Sequence, residues 1–321
     1  MTAAPGPEVV TVGEAMAALR ATGPIPLAPP MELSIAGAES NVAIGLARLG
    51  HRVGWVGAVG DDEFGTLVLR TLRAEQVDVT HVRTDTDGRP TGLLVREDGI
   101  GDLVTVRYYR AGSAGSAIRT PDVLAALRPG LRILHLTGIT PALGPSAAQA
   151  VEAAASRARE LGATVCLDVN YRARLWTQGE ARRALLPLAR NADIVVASAD
   201  ELHLITDDPA LDEKDALTAL LAQGRREVVI TRGGDGASVT AAAGTVGVPA
   251  RRVPVRDVVG AGDAFVSGYL SGLLDGLDTD GRLQRAINSG ACSVATRGDW
   301  EDLPGRRDLA LLDSPAGTTL R

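Results

Sequence analysis

Residues Gly260-Ala261-Gly262-Asp263 set two glycines around an alanine and follow them at once with an acid. Apolar residues then recur at helical spacing: Phe265, Val266, Tyr269, Leu270, Leu273 and Leu274. A glycine-rich turn feeding a helix leaves backbone N–H groups without partners, at the positive end of the helix dipole. That is a cradle for an anion. An acid beside such a cradle repels what the cradle attracts. The pairing is useful if the acid takes a proton from a hydroxyl that attacks a phosphate held there, as phosphoryl transfer to an alcohol requires. The structural alternative is that Asp263 caps the helix and the glycines only make a tight turn.

Such a turn needs a scaffold, and the rest of the chain predicts one. Residues 8–13 read as a buried strand, with Glu14 just past its end. Ligands of open α/β sheets sit at the carboxyl ends of strands, so Glu14 is either a site residue or a solvated edge acid. Pro24, Pro26, Pro29 and Pro30 rule out a helix and predict an extended crossover. A glycine turn then enters a helix with apolar residues at 42, 43, 46, 47 and 49, ended by Gly50. A strand is expected over 53–59, and a further helix opens at 60–65.

Between Arg89 and Arg110 the pattern changes. Runs at 91–96 and 103–109 alternate and are rich in Thr, Val and Tyr, with a turn at 98–102. This predicts a hairpin inserted among βα units, and a two-stranded ribbon needs a partner surface. Strands are then expected at 131–136, 164–169, 193–197 and 228–231. They alternate with helices at 146–161, 180–189, 201–205 and 217–223. That alternation predicts a mostly parallel sheet flanked by helices on both faces. Antiparallel segments at 237–240 and 244–249 follow, and a helix at 282–295 closes the fold. The tail, 305–321, has little pattern and is expected to be partly disordered.

The chain has 321 residues, 45% hydrophobic and 22% charged, which suits one large α/β domain with an ample core. A net charge of −6 argues against a nucleic-acid partner. No stretch at the N-terminus has signal-peptide character and no apolar run reaches membrane-spanning length, so the expected location is cytoplasmic and no membrane partner is expected. Cys166 and Cys292 fit no metal spacing and read as buried thiols. The four histidines are scattered, so no structural metal is expected.

The string from Asp257 to Leu270 closely resembles the C-terminal signature of the ribokinase-like (PfkB) carbohydrate kinases. The resemblance implies that Asp263 is the catalytic base and that Gly260, Ala261 and Gly262 form the anion hole. Val258 stands where that family usually has Thr. The stretch 37–65 is similar to the N-terminal signature, with Ala36 replacing a first Gly. It implies that Gly37, Ala38 and Asn41 meet the sugar, although an Asn here could also cap the helix. The resemblance implies ATP and Mg²⁺ as cofactors and leaves a monovalent cation open.

Further strings carry the likeness toward 2-keto-3-deoxygluconate kinases. Asp168-Val-Asn170-Tyr-Arg172 stands at a strand end; turn chemistry would explain Asp168 and Asn170 equally. Under the resemblance Asn170 and Arg172 contact substrate or the transferred phosphoryl group. Tyr108 and Arg110 share one face of the hairpin, and the resemblance makes both sugar-acid ligands. A second tyrosine expected on the facing strand is Leu94 here. Ser198-Ala-Asp-Glu201 resembles an Asn-x-x-Glu motif that orders Mg²⁺ through water, with Ser198 in place of Asn. A single Glu201 suffices for Mg²⁺, which keeps several waters; Ser198 could instead cap a helix. Thr231, Gly233 and Gly236 match a nucleotide loop, and Asn288 a position near the adenine.

The likeness spans residues 8–298. It implies a kinase domain over 1–304, with lid segments near 15–36 and 88–112 that cover the sugar and form a homodimer contact. The expected activity is ATP-dependent phosphorylation of a primary hydroxyl, best fitted by 2-keto-3-deoxygluconate, then by a neutral hexose such as fructose. A catalytically silent sugar sensor would not need Asp263 beside Gly-Ala-Gly. A nicotinamide-dependent oxidoreductase would need Gly-x-Gly-x-x-Gly after the first strand, and none is there.

Overall fold

A computed structural model describes residues 6–98 and 104–312. In chain order the first half comprises β1 (Val9–Val12), β2 (Met16–Ala21), β3 (Met31–Ala36), α1 (Ala38–Arg48), β4 (Val53–Val56), β5 (Ala58–Gly60) and α2 (Glu63–Ala74). Then come β6 (Arg83–Asp85), β7 (Leu93–Asp98), β8 (Val104–Tyr109), α3 (Thr120–Ala126), β9 (Ile133–Thr137), α4 (Ile139–Ala142), α5 (Pro145–Glu160) and β10 (Thr164–Asp168). The remainder is α6 (Gln178–Asn191), β11 (Ile194–Ser198), α7 (Glu213–Ala222), β12 (Glu227–Thr231), β13 (Ala237–Ala241), β14 (Gly244–Val248), α8 (Ala261–Leu274), α9 (Thr279–Val294) and α10 (Arg306–Leu311).

Eight strands form the main sheet in the order β14-β13-β12-β11-β10-β9-β1-β4. From β4 to β12 the pairs are parallel; β13 and β14 close the edge antiparallel. The inner strands β1 and β9 are buried along their whole length and mostly apolar, with Thr11, His135 and Thr137 as buried polar exceptions, as burial on both faces demands. One face carries an aliphatic core built with α3, α5, α6 and α7. The other carries a core built with α1, α2, α8 and α9, anchored by Trp55, Phe265 and Tyr269. The expected α/β architecture is therefore present.

A second sheet, β3-β2-β7-β8, stands over the carboxyl edge of the main one. Residues 16–36 are thus more than a crossover. They supply two antiparallel strands joined through a short 3₁₀ turn at Ile25–Leu27, and β2 pairs in parallel with β7. This is the surface the predicted hairpin needed. The turn expected at 98–102 falls largely at 99–103, outside the described residues.

Three other expectations change. The strand over 53–59 breaks at Gly57, where a Cβ would lie 2.4 Å from the Gly13 carbonyl oxygen, and β5 turns away to pair with β6. The tail contributes α10, so 305–312 is ordered helix and turn; 313–321 lie outside the described residues. Cys166 is buried, but Cys292 is only partly so. No helix among the described residues is long and apolar enough to cross a membrane.

Candidate active site

Asp263 is the third residue of α8. The N-cap is Gly260 and no side chain caps this helix, so the structure removes the reading of Asp263 as a cap. Gly260 has φ 77°, and a Cβ there would lie 2.2 Å from the Asp299 carbonyl oxygen. Only glycine fits that turn. Val259, Gly260 and Asp263 line the cavity beneath the lid, which places the N-terminus of α8 in its wall; the Ala261 N–H makes one long bond, to the Val258 carbonyl at 3.4 Å.

Asn41 lies one turn into α1, and its backbone N–H already bonds Gly37. Its side chain does not cap the helix. Nδ2 donates to Asp263 Oδ2 at 2.8 Å, and Oδ1 has no partner. An orphaned, buried amide oxygen beside a buried acid is a position for a hydroxyl donor. Asp263 is only 8% exposed. Burial pushes its carboxyl up to about 8, helped by the Asp168 and Glu39 carboxylates and opposed by Asn41 and Arg172.

The cavity has a volume of ≈ 740 Å³. Of the residues expected at the sugar, Glu14, Gly37, Ala38, Asn41, Tyr108, Arg110, Arg172 and Asp263 line it. Asn170 is just behind, with φ 41°. Its Nδ2 donates to Asp168 Oδ2 at 3.1 Å and its Oδ1 is unpartnered. Arg172 is exposed to the cavity, and its side chain makes no hydrogen bond or ion pair among the described residues.

Arg110 already has a partner within the protein. It is not an uncommitted guanidinium: Nη2 lies 2.5 Å from Glu14 Oε2, and Ser113 Oγ donates to Glu14 Oε1 at 2.5 Å. Its plane also lies over the Tyr108 ring, 5.6 Å from the centroid, which places both on one face. Glu14 is thus a buried partner for the lid rather than a solvated edge acid. Leu94 pairs directly with Tyr108 and closes the apolar side of the cavity.

The residues expected at the nucleotide lie along the carboxyl edge, outside the sugar cavity. Glu201 accepts from Ser198 N at 2.8 Å and from Tyr171 N at 2.7 Å, clamping the ends of β10 and β11 together. Thr231 ends β12, and Gly233 and Gly236 flank a tight turn with φ 52° and 106°. Asn288 lies on α9, with Oδ1 accepting from Gln284 at 3.3 Å. Among the described residues no three His, Cys, Asp or Glu converge as a metal cluster.

Three acids were not singled out as site residues by the sequence. Glu39 is 1% exposed and accepts from Thr137 at 2.5 Å and Thr140 at 2.6 Å; burial raises its pKa. Asp168 is pushed up to about 7 by burial and by the neighbouring Glu201 charge. Asp299 lines the cavity from the loop after α9, and burial takes it to about 6. Asp168 was visible only as part of a turn-like string. Glu39 and Asp299 carry no local signal, because they reach the site through tertiary packing.

A buried acid at an uncapped helix N-terminus, roofed by a separate sheet on an α/β core, can serve phosphoryl transfer to an alcohol. The chain belongs to the pfkB family of carbohydrate kinases, whose family model matches residues 7–306. It is 36% identical over 307 residues to the 2-dehydro-3-deoxygluconokinase of Bacillus subtilis (strain 168), covering 94% of each chain. It is 35% identical over 280 residues to a fructokinase from Escherichia coli, covering 85% of this chain and 90% of that one. Among solved structures it resembles a Xylella fastidiosa fructokinase with bound ATP, with a TM-score of 0.84, 25% identity and coverage of 95% and 98%.

The buried acid has a consequence for pH. A base must lose its proton before it can accept one, so kcat/KM is expected to rise with pH and level off above about 8. Asp168, near 7, adds a second, coupled step below it. A flat profile between pH 6 and 9, read as initial rates at low sugar (~ one-tenth of KM), contradicts this assignment.

Proposed function

We propose that this carbohydrate kinase transfers the γ-phosphoryl group of ATP to the primary hydroxyl of 2-keto-3-deoxygluconate, also called 2-dehydro-3-deoxygluconate, giving its 6-phosphate. The observation that carries the reading is the cavity: it is lined both by a buried acid and by the uncommitted guanidinium of Arg172. A substrate with a hydroxyl at one end and a carboxylate at the other complements both. The relative in Bacillus subtilis is named for this activity.

In the proposed step Asp263 takes the hydroxyl proton and the sugar oxygen bonds to the γ-phosphorus. The bond from that phosphorus to the β–γ bridging oxygen breaks, and ADP leaves with the electron pair. The N–H groups at Gly260, Ala261 and Gly262 stabilise the charge that develops on phosphate oxygens. Asn41 orients Asp263 and offers Oδ1 to the hydroxyl. Gly37, Ala38, Tyr108 and Asn170 shape the sugar pocket, and Glu14 fixes Arg110 beside it.

Ser198, Glu201, Thr231, Gly233, Gly236 and Asn288 would face the nucleotide. Glu201 fits a water-mediated Mg²⁺ contact, since each carboxylate oxygen keeps a lone pair beyond its one backbone bond, and a divalent cation would relieve its repulsion of Asp168. When bound, Mg²⁺ would neutralise charge on the phosphates. A monovalent cation near Val258 is a finer part of the proposal, checked by replacing potassium with tetramethylammonium. The location proposed is the cytoplasm.

A neutral hexose such as fructose is the second reading. Leu94 removes a hydroxyl from the sugar face, and Glu14 already neutralises Arg110. Phosphorylation assays over sugar acids and neutral hexoses, with the product located by NMR, separate the two.

The lid sheet also leaves apolar side chains uncovered, with Leu33 52% and Tyr109 62% exposed. Exposed apolar sheet invites a second strand or sheet. We propose that two copies cover each other there. Light scattering at micromolar concentration is expected to give the dimer mass; a monomer contradicts the contact.

A further inference from the structure

The anion loop is tied to the lid by one buried ion pair. Arg96 on β7 places Nη1 2.5 Å from Asp257 Oδ2, with side-chain exposures of 8% and 2%. Asp257 begins the loop that ends at Asp263. Its Oδ1 accepts from Val259 N at 3.0 Å, and Oδ2 accepts from Gly298 N at 3.3 Å. Gly298 leads directly into Asp299, whose carbonyl packs against Gly260. One carboxylate therefore sets the backbone on both sides of the turn that opens α8. A residue of the lid holds that carboxylate.

From this we infer that Arg96 is a positioning residue for phosphoryl transfer: through Asp257 it sets the path of residues 257–262 and couples the placement of the lid to the geometry of the anion hole. The inference rests on the reading of Gly260–Asp263 as the phosphoryl-transfer site. A second lid pair provides a contrast. Arg20 on β2 lies 2.7 Å from Glu301, which also accepts from Ser34 at 2.6 Å. Arg20 also stands 3.9 Å from Asp299, in the segment that packs against Gly260, so the cleaner lid anchor is Ser34 on β3, which bonds Glu301 and, among the described residues, neither Asp257 nor Asp299.

The energetic argument is geometric. Donors that stabilise developing charge act only when aimed at where the charge appears, and a displacement of about 1 Å can cost about 10²-fold in rate. With Arg96 removed, the Asp257 carboxylate loses its buried charge partner and is driven toward water or a new partner. Either movement shifts Val259 and Gly298 and reshapes the turn between them.

Steady-state kinetics and thermal melting of Arg96→Met, Arg96→Lys and Ser34→Ala test this with ATP and the sugar that the wild type phosphorylates best. Arg96→Met is expected to lose about 10²-fold in kcat. Arg96→Lys, which keeps the charge, is expected to recover most of it. Ser34→Ala is expected to melt earlier than wild type but to keep its kcat. If Arg96→Met does not fold, Arg96→Gln, which keeps a donor without the charge, carries the same expectation. Wild-type kcat in the uncharged Arg96 variant overturns the inference. So does an equal kcat loss in Ser34→Ala, which would mean that lid docking alone is at work. Asp263→Asn assayed alongside separates the two layers: if it is active, the phosphoryl-transfer reading falls whatever Arg96 does.

Discussion

Replacing Asp263 with Asn is expected to leave ATP binding near wild type and to lower kcat by about 10²–10⁴-fold, the range for loss of a general base. The amide has the same shape, and its oxygen can still accept from Asn41 Nδ2, now 2.8 Å away. No helix cap is lost, because Gly260 occupies that position without a side-chain bond. The substitution also removes a carboxyl that is buried and electrostatically uncomfortable, so the fold is not expected to weaken. What disappears is the ability to take a proton. Calorimetry with ATP and single-turnover rates check the two halves separately. Turnover within a few-fold of wild type would show that Asp263 is not the base.

The second large effect belongs to Arg172. The resemblance makes Arg110 a sugar-acid ligand, but Arg110 already has Glu14 as its partner. Arg172 lines the cavity with no ion pair of its own among the described residues. A guanidinium bonded to a carboxylate contributes about 1.5–3 kcal/mol. Arg172→Ala is therefore expected to lower kcat/KM for 2-keto-3-deoxygluconate by about 10–10²-fold. For fructose the loss is expected to be smaller, limited to whatever Arg172 lends to the transferred phosphoryl group. Equal losses on both substrates would assign Arg172 to the phosphoryl group alone and remove the argument for a sugar acid.

Much of this molecule was legible because its signals are local. The glycines around Ala261, the apolar spacing after Asp263 and the buried strand runs each follow from short-range geometry. The break at Gly57 was not, since it depends on how closely the Gly13 carbonyl approaches. The role of residues 16–36 as half of the lid was hidden by their prolines, which forbid helix but do not say which strands pair. Asn41 could be read as a cap or a ligand; only the fold brings it to Asp263 across 222 positions. The Arg110–Glu14 and Arg96–Asp257 pairs were equally invisible. Ion pairs between distant segments have no spacing rule, and they decide which guanidinium is left for a substrate.

The central claim is that the cavity is built for an acid with a primary hydroxyl. The most direct measurement is kcat/KM for 2-keto-3-deoxygluconate against fructose, with saturating ATP and Mg²⁺, at a pH above 8 where Asp263 is ionised. The account predicts a clear preference for the sugar acid, with phosphate appearing on its primary hydroxyl. A higher kcat/KM for fructose would contradict it, and would leave a carbohydrate kinase whose Arg172 serves the phosphoryl group.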